Sequence, residues 1–411
     1  MNAALAKPAF DHPPRVLLLL NSLGGGGAER VALNLARHCD PAVCDVRLGL
    51  LHREGPYLAE FDRTRIVGPP RRGESFKDHV TAPLAIAAMI RRAQPEVVMT
   101  FGPWLEVQTF WAMRLLGGSA PRWICRQDNN RAAEIGDLTS SRAARAALSA
   151  VLSLAHSGAD ARVAVSRGMA ARLSARGAAP PTRVIHNPID LELIQRRAAA
   201  SPACATERPF VVAAGRLVRQ KGFDVLISAF AGAPAAAGLD LVILGQGPLE
   251  AALRAQAAAL GLADRVHFPG FQVNPWAWFA RARLFVLASR WEGFGNVVAE
   301  ALACGAPALV TDCDFGPSEQ VEHGRSGWVA LAGDADALAR AMDLLLANRV
   351  HCARLRAAAR IRARAFDIGA AARAYEELFI AEAKARRLAR RSSGAVEIEF
   401  EASPVLEPLA A

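Results

Sequence analysis

Nowhere does the chain carry the roughly 18 consecutive apolar residues that a membrane-crossing helix needs, so the sequence predicts a soluble or peripheral protein. The opening stretch MNAALAKPAFDHPP lacks the extended apolar core of a secretory signal, and Val16 to Leu20 is too short for a signal or a span. Cysteines number seven (Cys39, Cys44, Cys125, Cys204, Cys304, Cys313 and Cys352). Their odd count and the absence of any C-x-x-C pair suggest neither a zinc site nor a disulfide framework, which fits a reducing cytoplasm. Aromatic residues make up only 6% of the chain, and the tryptophans stand in apolar contexts. That argues against aromatics interleaved with Lys and Arg as a platform for single-stranded nucleic acid. Acidic excess is also missing: 49 Lys and Arg against 39 Asp and Glu give a net charge of +10, with arginine spread through most helices. Such a balance attracts phosphates, nucleic acid or an anionic membrane, and charge alone does not choose among them. A basic nucleic-acid-binding protein therefore remains a rival reading, which a salt-sensitive DNA shift would favour.

What is present is apolar substance enough for two cores: 411 residues, 52% of them hydrophobic. The chain is organised around Leu284 to Thr311, LFVLASRWEGFGNVVAEALACGAPALVT. It reads as a strand (Leu284 to Ala288), a glycine-bearing loop, a helix of about two turns with Asn296 as its cap, and a second strand (Ala308 to Thr311). Glu292 lies in the loop and Glu300 four residues beyond Asn296. Four residues of helix rise roughly 6 Å, and helical side chains lean toward the N-terminus, so both carboxylates can face one crevice at the carboxyl end of a parallel sheet. A carboxylate offers two acceptor oxygens to vicinal hydroxyls, and the free N–H groups at a helix start suit a phosphate; a nucleotide sugar has both parts. By spacing alone, Glu292 reads as a solvated loop acid and Glu300 as a helix-surface residue, and only the whole string argues otherwise.

Other stretches fit the same plan. Arg15 to Leu20 is a buried strand running into Gly24 to Gly27 and the helical face Ala28, Val31, Ala32 and Leu35, which is either a phosphate cradle or a flexible turn. Strands are expected at Val46 to Leu51, Val97 to Phe101, Trp123 to Arg126, Val163 to Ser166 and Val184 to Ile185, with alanine-rich helices between several of them. Gly68 to Asp78 reads as an exposed basic loop, and Asp128, just past a strand, as a cap or a substrate contact. Phe210 to Ala214 begins a second domain. The cations Arg216 and Lys221 follow it across a turn, where they either clamp a diphosphate or sit solvated. His267 reads as a strand residue, and Trp276, Trp278 and Phe279 as core rather than a stacking surface. Asp334 or Asp336 caps an amphipathic helix ending near Ala347.

EGFGNVVAEALACGAPALVTD strongly resembles the E-x7-E signature of glycosyltransferase family 4, retaining enzymes of the GT-B fold. DCDFGPSE, HGRSGWV, GGGGAERVALNLA, HNPID and GRLVRQKGFD each resemble family motifs, so the likeness extends from about Arg15 to Phe379. It implies an α/β protein of two Rossmann-like, doubly wound parallel-sheet domains: residues 1–195 on the acceptor side, a linker at 196–208 and a nucleotide-sugar domain at 209–370. A helix at 371–391 would cross back to the first domain, and 392–411 would be a poorly ordered tail. The resemblance further implies Arg216 and Lys221 neutralising the diphosphate, Glu292 holding the donor sugar's hydroxyls and Glu300 the ribose. Gly25 and Gly26 would face the donor, Gln272 and Val273 the base, and Gly293, Phe294, Gly295, Asn296 and Val297 would complete the substrate loop. No metal or other cofactor is expected. Where many members carry a histidine, this chain has Arg126-Gln127-Asp128-Asn129-Asn130. The expected activity is retaining, metal-independent transfer from a nucleoside-diphosphate sugar, with UDP favoured, to a glycan or lipid-linked saccharide in bacterial surface polysaccharide assembly. The cytoplasmic enzyme would dock on the inner membrane through Arg71, Arg72, Lys77, Arg91 and Arg92, and no nucleic-acid partner is expected. A nucleotide-sugar epimerase on the same fold is the alternative enzyme.

Overall fold

The computed structural model describes residues 12–69, 76–175, 182–202 and 208–392, with the side chains of 76–80 excluded. The first sheet is built from β1 (Arg15–Leu20), β2 (Asp45–Leu50), β3 (Ile66–Val67), β4 (Val97–Phe101), β5 (Arg122–Gln127), β6 (Ala161–Ala164) and β7 (Thr182–Val184). The second contains β8 (Phe210–Ala214), β9 (Asp240–Leu244), β10 (Val266–His267), β11 (Leu284–Leu287), β12 (Ala308–Thr311) and β13 (Trp328–Ala330). All these strands pair in parallel. Helices on both faces bury them, which is why they are near-continuous apolar runs rather than alternating ones.

The strand orders are β3-β2-β1-β4-β5-β6-β7 and β10-β9-β8-β11-β12-β13. Each reverses direction once, between β1 and β4 and between β8 and β11, and a doubly wound sheet opens a crevice at that reversal. The glycine loop leaves β1, the Arg216–Lys221 turn leaves β8 and the Glu292 loop leaves β11. Topology alone thus brings the three loops to the carboxyl ends beside the two reversals.

The returning helix is Ile368–Ser392, beginning three residues before the expected start. Tyr375, Leu378, Phe379 and Ala383 complete the first domain's core beside Val16, Leu18 and Ile124. Polar ties fix the helix in place: Arg122 bonds Glu382 at 2.9 Å, Arg386 donates to the Pro95 carbonyl at 2.6 Å, and the Asp40 amide donates to Glu376 at 2.7 Å.

Several local expectations change. Phe76–Ala93 is helical, so the basic loop ends before Phe76, and its residues 70–75 lie outside the described residues. Helix Leu191–Ala198 takes the first three positions of the expected linker, capped by Asp190, whose carboxylate accepts from the Leu193 amide at 2.9 Å. Residues 203–207 of that linker and 393–411 of the tail are outside the described residues. The two-residue strand β3 went unread because Ile66-Val67 is too short for any periodicity.

Candidate active site

The Glu292 loop folds as a clasp between β11 and the segment after β12. The Glu292 amide donates to the Asp314 carbonyl at 2.6 Å, and the Phe315 amide donates back to the Glu292 carbonyl at 2.9 Å. Gly293 is required by space, since a Cβ there would meet the Asp128 carbonyl oxygen of the first domain at 1.8 Å. Gly295, at φ +81°, adopts the left-handed turn that launches helix Asn296–Ala303.

Asn296 is therefore not the cap the sequence suggested but the first residue of the helix. Its side chain instead bridges the domains: Oδ1 accepts from Asn187 at 2.6 Å, and Nδ2 donates to the Gly27 carbonyl at 3.0 Å. Asn187, in turn, accepts from the buried Arg126 guanidinium. Phe294 also departs from expectation, because its ring is buried against His186 and Phe366 at centroid distances of 5.5 Å each. Only its backbone can serve a ligand. Val297, the second residue of that helix, is partly buried.

Lys221 and Glu292 come together as the resemblance implies of two residues of one site, but as a pair: Nζ lies 2.5 Å from Oε1. Ser289 donates to the same oxygen at 2.7 Å. Neither charge is therefore solvated, and the second carboxylate oxygen is left over for hydroxyl donors. Arg216 is exposed and makes no hydrogen bond or ion pair to any described residue. Its charge acts across the crevice on two first-domain acids, Glu29 and Glu134. Burial raises the pKa of both, and Arg216 pulls against that rise.

Glu300 sits deeper. Burial raises its pKa, countered by a 2.9 Å hydrogen bond from the Trp276 indole N–H and by the charge of Arg30. Trp276 is core, as its apolar setting indicated, but it also holds the second signature acid. Sequence reasoning missed that role because an indole's polar edge has no periodic signal. Gly25, at φ +95°, would bring a Cβ to 3.0 Å from the Phe271 ring, so the glycine loop seats on the second domain. Gly26 lies beside Glu29, whose carboxylate a Cβ would meet at 2.4 Å and so displace. Gln272 bonds the Pro269 carbonyl at 3.0 Å, and Val273 is half exposed. His267 lies 3.1 Å from Asp240 at the far sheet edge, away from the crevice.

Asp128 is not a helix cap. Asn130 caps helix Arg131–Leu138 by accepting from the Ala133 amide at 3.4 Å, while Asp128 pairs with Arg126. Behind this loop is a buried cluster of Glu106, Cys125 and His156, whose potential ligand atoms lie within 4.8 Å of one another. The guanidinium of Arg131 bonds both Glu106 and His156, so the cluster already holds a cation. Burial opposes the charge on Glu106, and Arg131 and His156 overcome it, so its pKa lies below the ordinary value. Glu319 also escaped notice as a domain tie: its oxygens accept from the Arg167 and Gly168 amides, both at 2.9 Å, at the start of helix Arg167–Ser174.

Two parallel-sheet Rossmann-like domains facing a crevice, with these loops at their carboxyl ends, define the GT-B class. Two family models match in succession, Glycosyltransferase Family 4 over residues 25–193 and Glycosyl transferases group 1 over residues 195–362. The chain belongs to this glycosyltransferase family. Among curated relatives it is 33% identical to the lipopolysaccharide core biosynthesis glycosyltransferase LpsE of Rhizobium meliloti over 189 residues, 46% of this chain and 54% of that protein. It is 32% identical to the N-acetylgalactosamine-N,N'-diacetylbacillosaminyl-diphospho-undecaprenol 4-alpha-N-acetylgalactosaminyltransferase of Campylobacter jejuni, over 45% of this chain and 49% of that one. The matched stretch thus spans about half the length of these relatives. In fold, the chain is similar to Anabaena HepE in complex with UDP and glucose, with TM-score 0.70, 22% identity and coverage of 89% of this chain and 99% of that one. It is also similar to sucrose-phosphate synthase from Thermosynechococcus elongatus, with TM-score 0.70, 21% identity and coverage of 93% and 100%.

Proposed function

We propose that the chain is a retaining, metal-independent glycosyltransferase that moves a sugar from a nucleoside-diphosphate sugar, with UDP favoured, to a glycan or lipid-linked saccharide in bacterial surface polysaccharide assembly. The observation that carries this reading is the Lys221–Glu292 pair at 2.5 Å, set beside the Asn296–Ala303 helix start at the sheet reversal. A cation for a diphosphate, an acceptor oxygen for sugar hydroxyls and a helix N-terminus stand within one crevice. Support for the donor class comes from the UDP and UDP-glucose complexes of the similar fold, and for the polysaccharide context from the lipopolysaccharide core relative.

In this reading Arg216 and Lys221 stabilise charge on the departing diphosphate, where electrostatic help lowers the barrier most. The leaving phosphate oxygen takes the acceptor hydroxyl's proton on the same face of the sugar, so the α configuration is kept. Glu292 holds the sugar, and Glu300 takes the ribose hydroxyls in exchange for part of its desolvation. A thermal-shift screen of nucleotide sugars tests the donor, since a ligand bound only by the folded state raises its melting temperature. UDP-sugars should shift it more than GDP-sugars; an equal or reversed shift removes the UDP preference, and no shift with any donor removes the activity.

A membrane-borne acceptor is part of the same proposal. No helix among the described residues is long and apolar enough to cross a membrane. The packed helices Phe76–Ala93, Pro103–Leu116 and Arg142–Ser157 expose Leu84, Trp111, Leu115 and Leu154, with Arg91, Arg92 and Arg114 on the same helices. Arg71, Arg72 and the Lys77 side chain lie outside the described residues. Near an anionic leaflet each cation contributes about 1 kcal/mol, and tryptophan suits the interface. Flotation with anionic liposomes should show binding that high salt abolishes; no binding at low salt with efficient transfer to a small soluble acceptor contradicts it.

A further inference from the structure

Glu29 is the third residue of helix Gly27–His38 and follows directly on the glycine loop that leaves β1. Its carboxylate folds back over Gly26 and takes a hydrogen bond from its own amide. It makes no hydrogen bond or ion pair with any other described residue. The residue is partly buried, and both of its oxygens stay open to a ligand. Two residues back, the Gly27 carbonyl accepts from Asn296 Nδ2 at 3.0 Å, so Glu29 stands where the glycine loop meets the start of helix Asn296–Ala303. The charge that faces it is Arg216, exposed and unpaired on the turn after β8. Glu134, on helix Arg131–Leu138, shares that guanidinium's field. The other charges at this corner are already matched: Arg30 pairs with Glu60 at 2.8 Å and Lys221 with Glu292 at 2.5 Å. Tyr57, which donates to the Gly25 carbonyl at 3.2 Å, and Asn296 are uncharged. Burial disfavours the ionised carboxylate of Glu29, and the counterweight from another residue is Arg216.

A diphosphate bound to Arg216 removes that counterweight. It takes up the guanidinium's field and brings its own negative charge beside Glu29, so an ionised carboxylate there repels it. A neutral carboxyl group does the reverse, because it carries an O–H donor that a phosphate oxygen accepts. We propose that Glu29 binds the donor's diphosphate as a neutral carboxylic acid, donating its O–H to a phosphate oxygen beside Arg216, so that donor binding takes up a proton. The inference rests on the donor reading above and assigns that site a further binding residue. The proton stays on Glu29, and no covalent bond changes there. Donor affinity then falls as pH rises, since more of the free protein must first be protonated. Glu300 acts with the opposite sign, because its ionisation with rising pH gives the ribose hydroxyls a better acceptor. A decline in affinity with pH therefore does not come from Glu300.

Calorimetric titration of the full chain between about pH 5.5 and 8 provides the test. The probe is whichever of UDP-glucose, UDP-N-acetylglucosamine and GDP-mannose binds tightest, because their diphosphates, esterified at both ends, keep the same charge over that range. Wild-type affinity should be at least about 10-fold weaker at the upper end than at the lower. Glu29→Gln, whose amide supplies an N–H donor at every pH, should bind with little pH dependence and at least about 10-fold tighter than wild type at the upper end. Glu29→Ala should also lose the slope, but it lacks the donor and should bind about 5-fold weaker than wild type at the lower end. Glu134→Gln should keep the wild-type slope. A flat wild-type profile, a slope that persists in Glu29→Gln, a slope lost in Glu134→Gln, or a Glu29→Gln protein that binds no tighter than wild type at the upper end each overturns the role of Glu29 and leaves the donor reading standing. No binding of any of the three nucleotide sugars removes the donor reading, and this inference with it.

Discussion

The two sides of the crevice treat charge differently. On the second-domain side, Glu292 meets Lys221 and Ser289, and Glu300 accepts from the Trp276 indole, so each acid is held by one or two hydrogen-bonding groups and keeps an oxygen for a ligand. On the first-domain side, Glu106, Cys125, Arg131 and His156 form a closed buried network. The donor side is thus built from short contiguous loops on adjacent strands. The first-domain network draws its members from helix Pro103–Leu116, β5, helix Arg131–Leu138 and helix Arg142–Ser157.

The sharpest break in that comparison is Lys221→Ala. It removes leaving-group stabilisation and strands a buried carboxylate, so turnover should fall about 10²-fold or more and stability by about 3–5 kcal/mol. Steady-state kinetics with denaturant unfolding checks both, and Lys221→Ala with Glu292→Ala should recover much of the stability but no turnover. Glu106→Ala is the matching cut on the other side. It leaves Arg131 buried without its partner and should cost about 3–5 kcal/mol by urea unfolding, whereas Glu106→Leu combined with Arg131→Met should cost far less.

That asymmetry also explains what the sequence revealed. Strands β1, β4, β8 and β12 fall at their expected ends because a strand buried on both faces is an uninterrupted apolar run. The donor-side residues were legible because EGFGNVVAE and GRLVRQKG are contiguous strings. Asn187, Trp276, Glu319 and the Arg131 cluster were not, since each acts through a partner 24 to more than 100 residues away. Asp128 misled because an acid after a strand usually caps, while here the neighbouring buried Arg126 claims it.

Glu300→Gln sharpens the contrast between the two signature acids. With its pKa raised, ionised Glu300 loses stability as pH climbs from the unfolded value through the folded one. The amide removes that cost, so the melting temperature at pH 7 should hold or rise while UDP affinity falls about 10-fold in a calorimetric titration. The smallest effect belongs to Glu319. Burial opposes its charge, but the His186 contact and two amides outweigh it, so its pKa is lowered. Its contribution, about 1–2 kcal/mol, is present above the unfolded value near 4.3 and is lost as pH falls through the folded one. Glu319→Gln should therefore flatten the melting temperature between about pH 5 and 3.

Calorimetric titration of the wild-type chain and Lys221→Ala with UDP and a UDP-sugar addresses the crevice itself. Saturable one-site binding in the wild type, weakened at least about 10-fold by the substitution while the far-UV spectrum stays unchanged, is the result the Lys221–Glu292 geometry predicts. No binding by the wild type, or equal binding by both proteins, would contradict it.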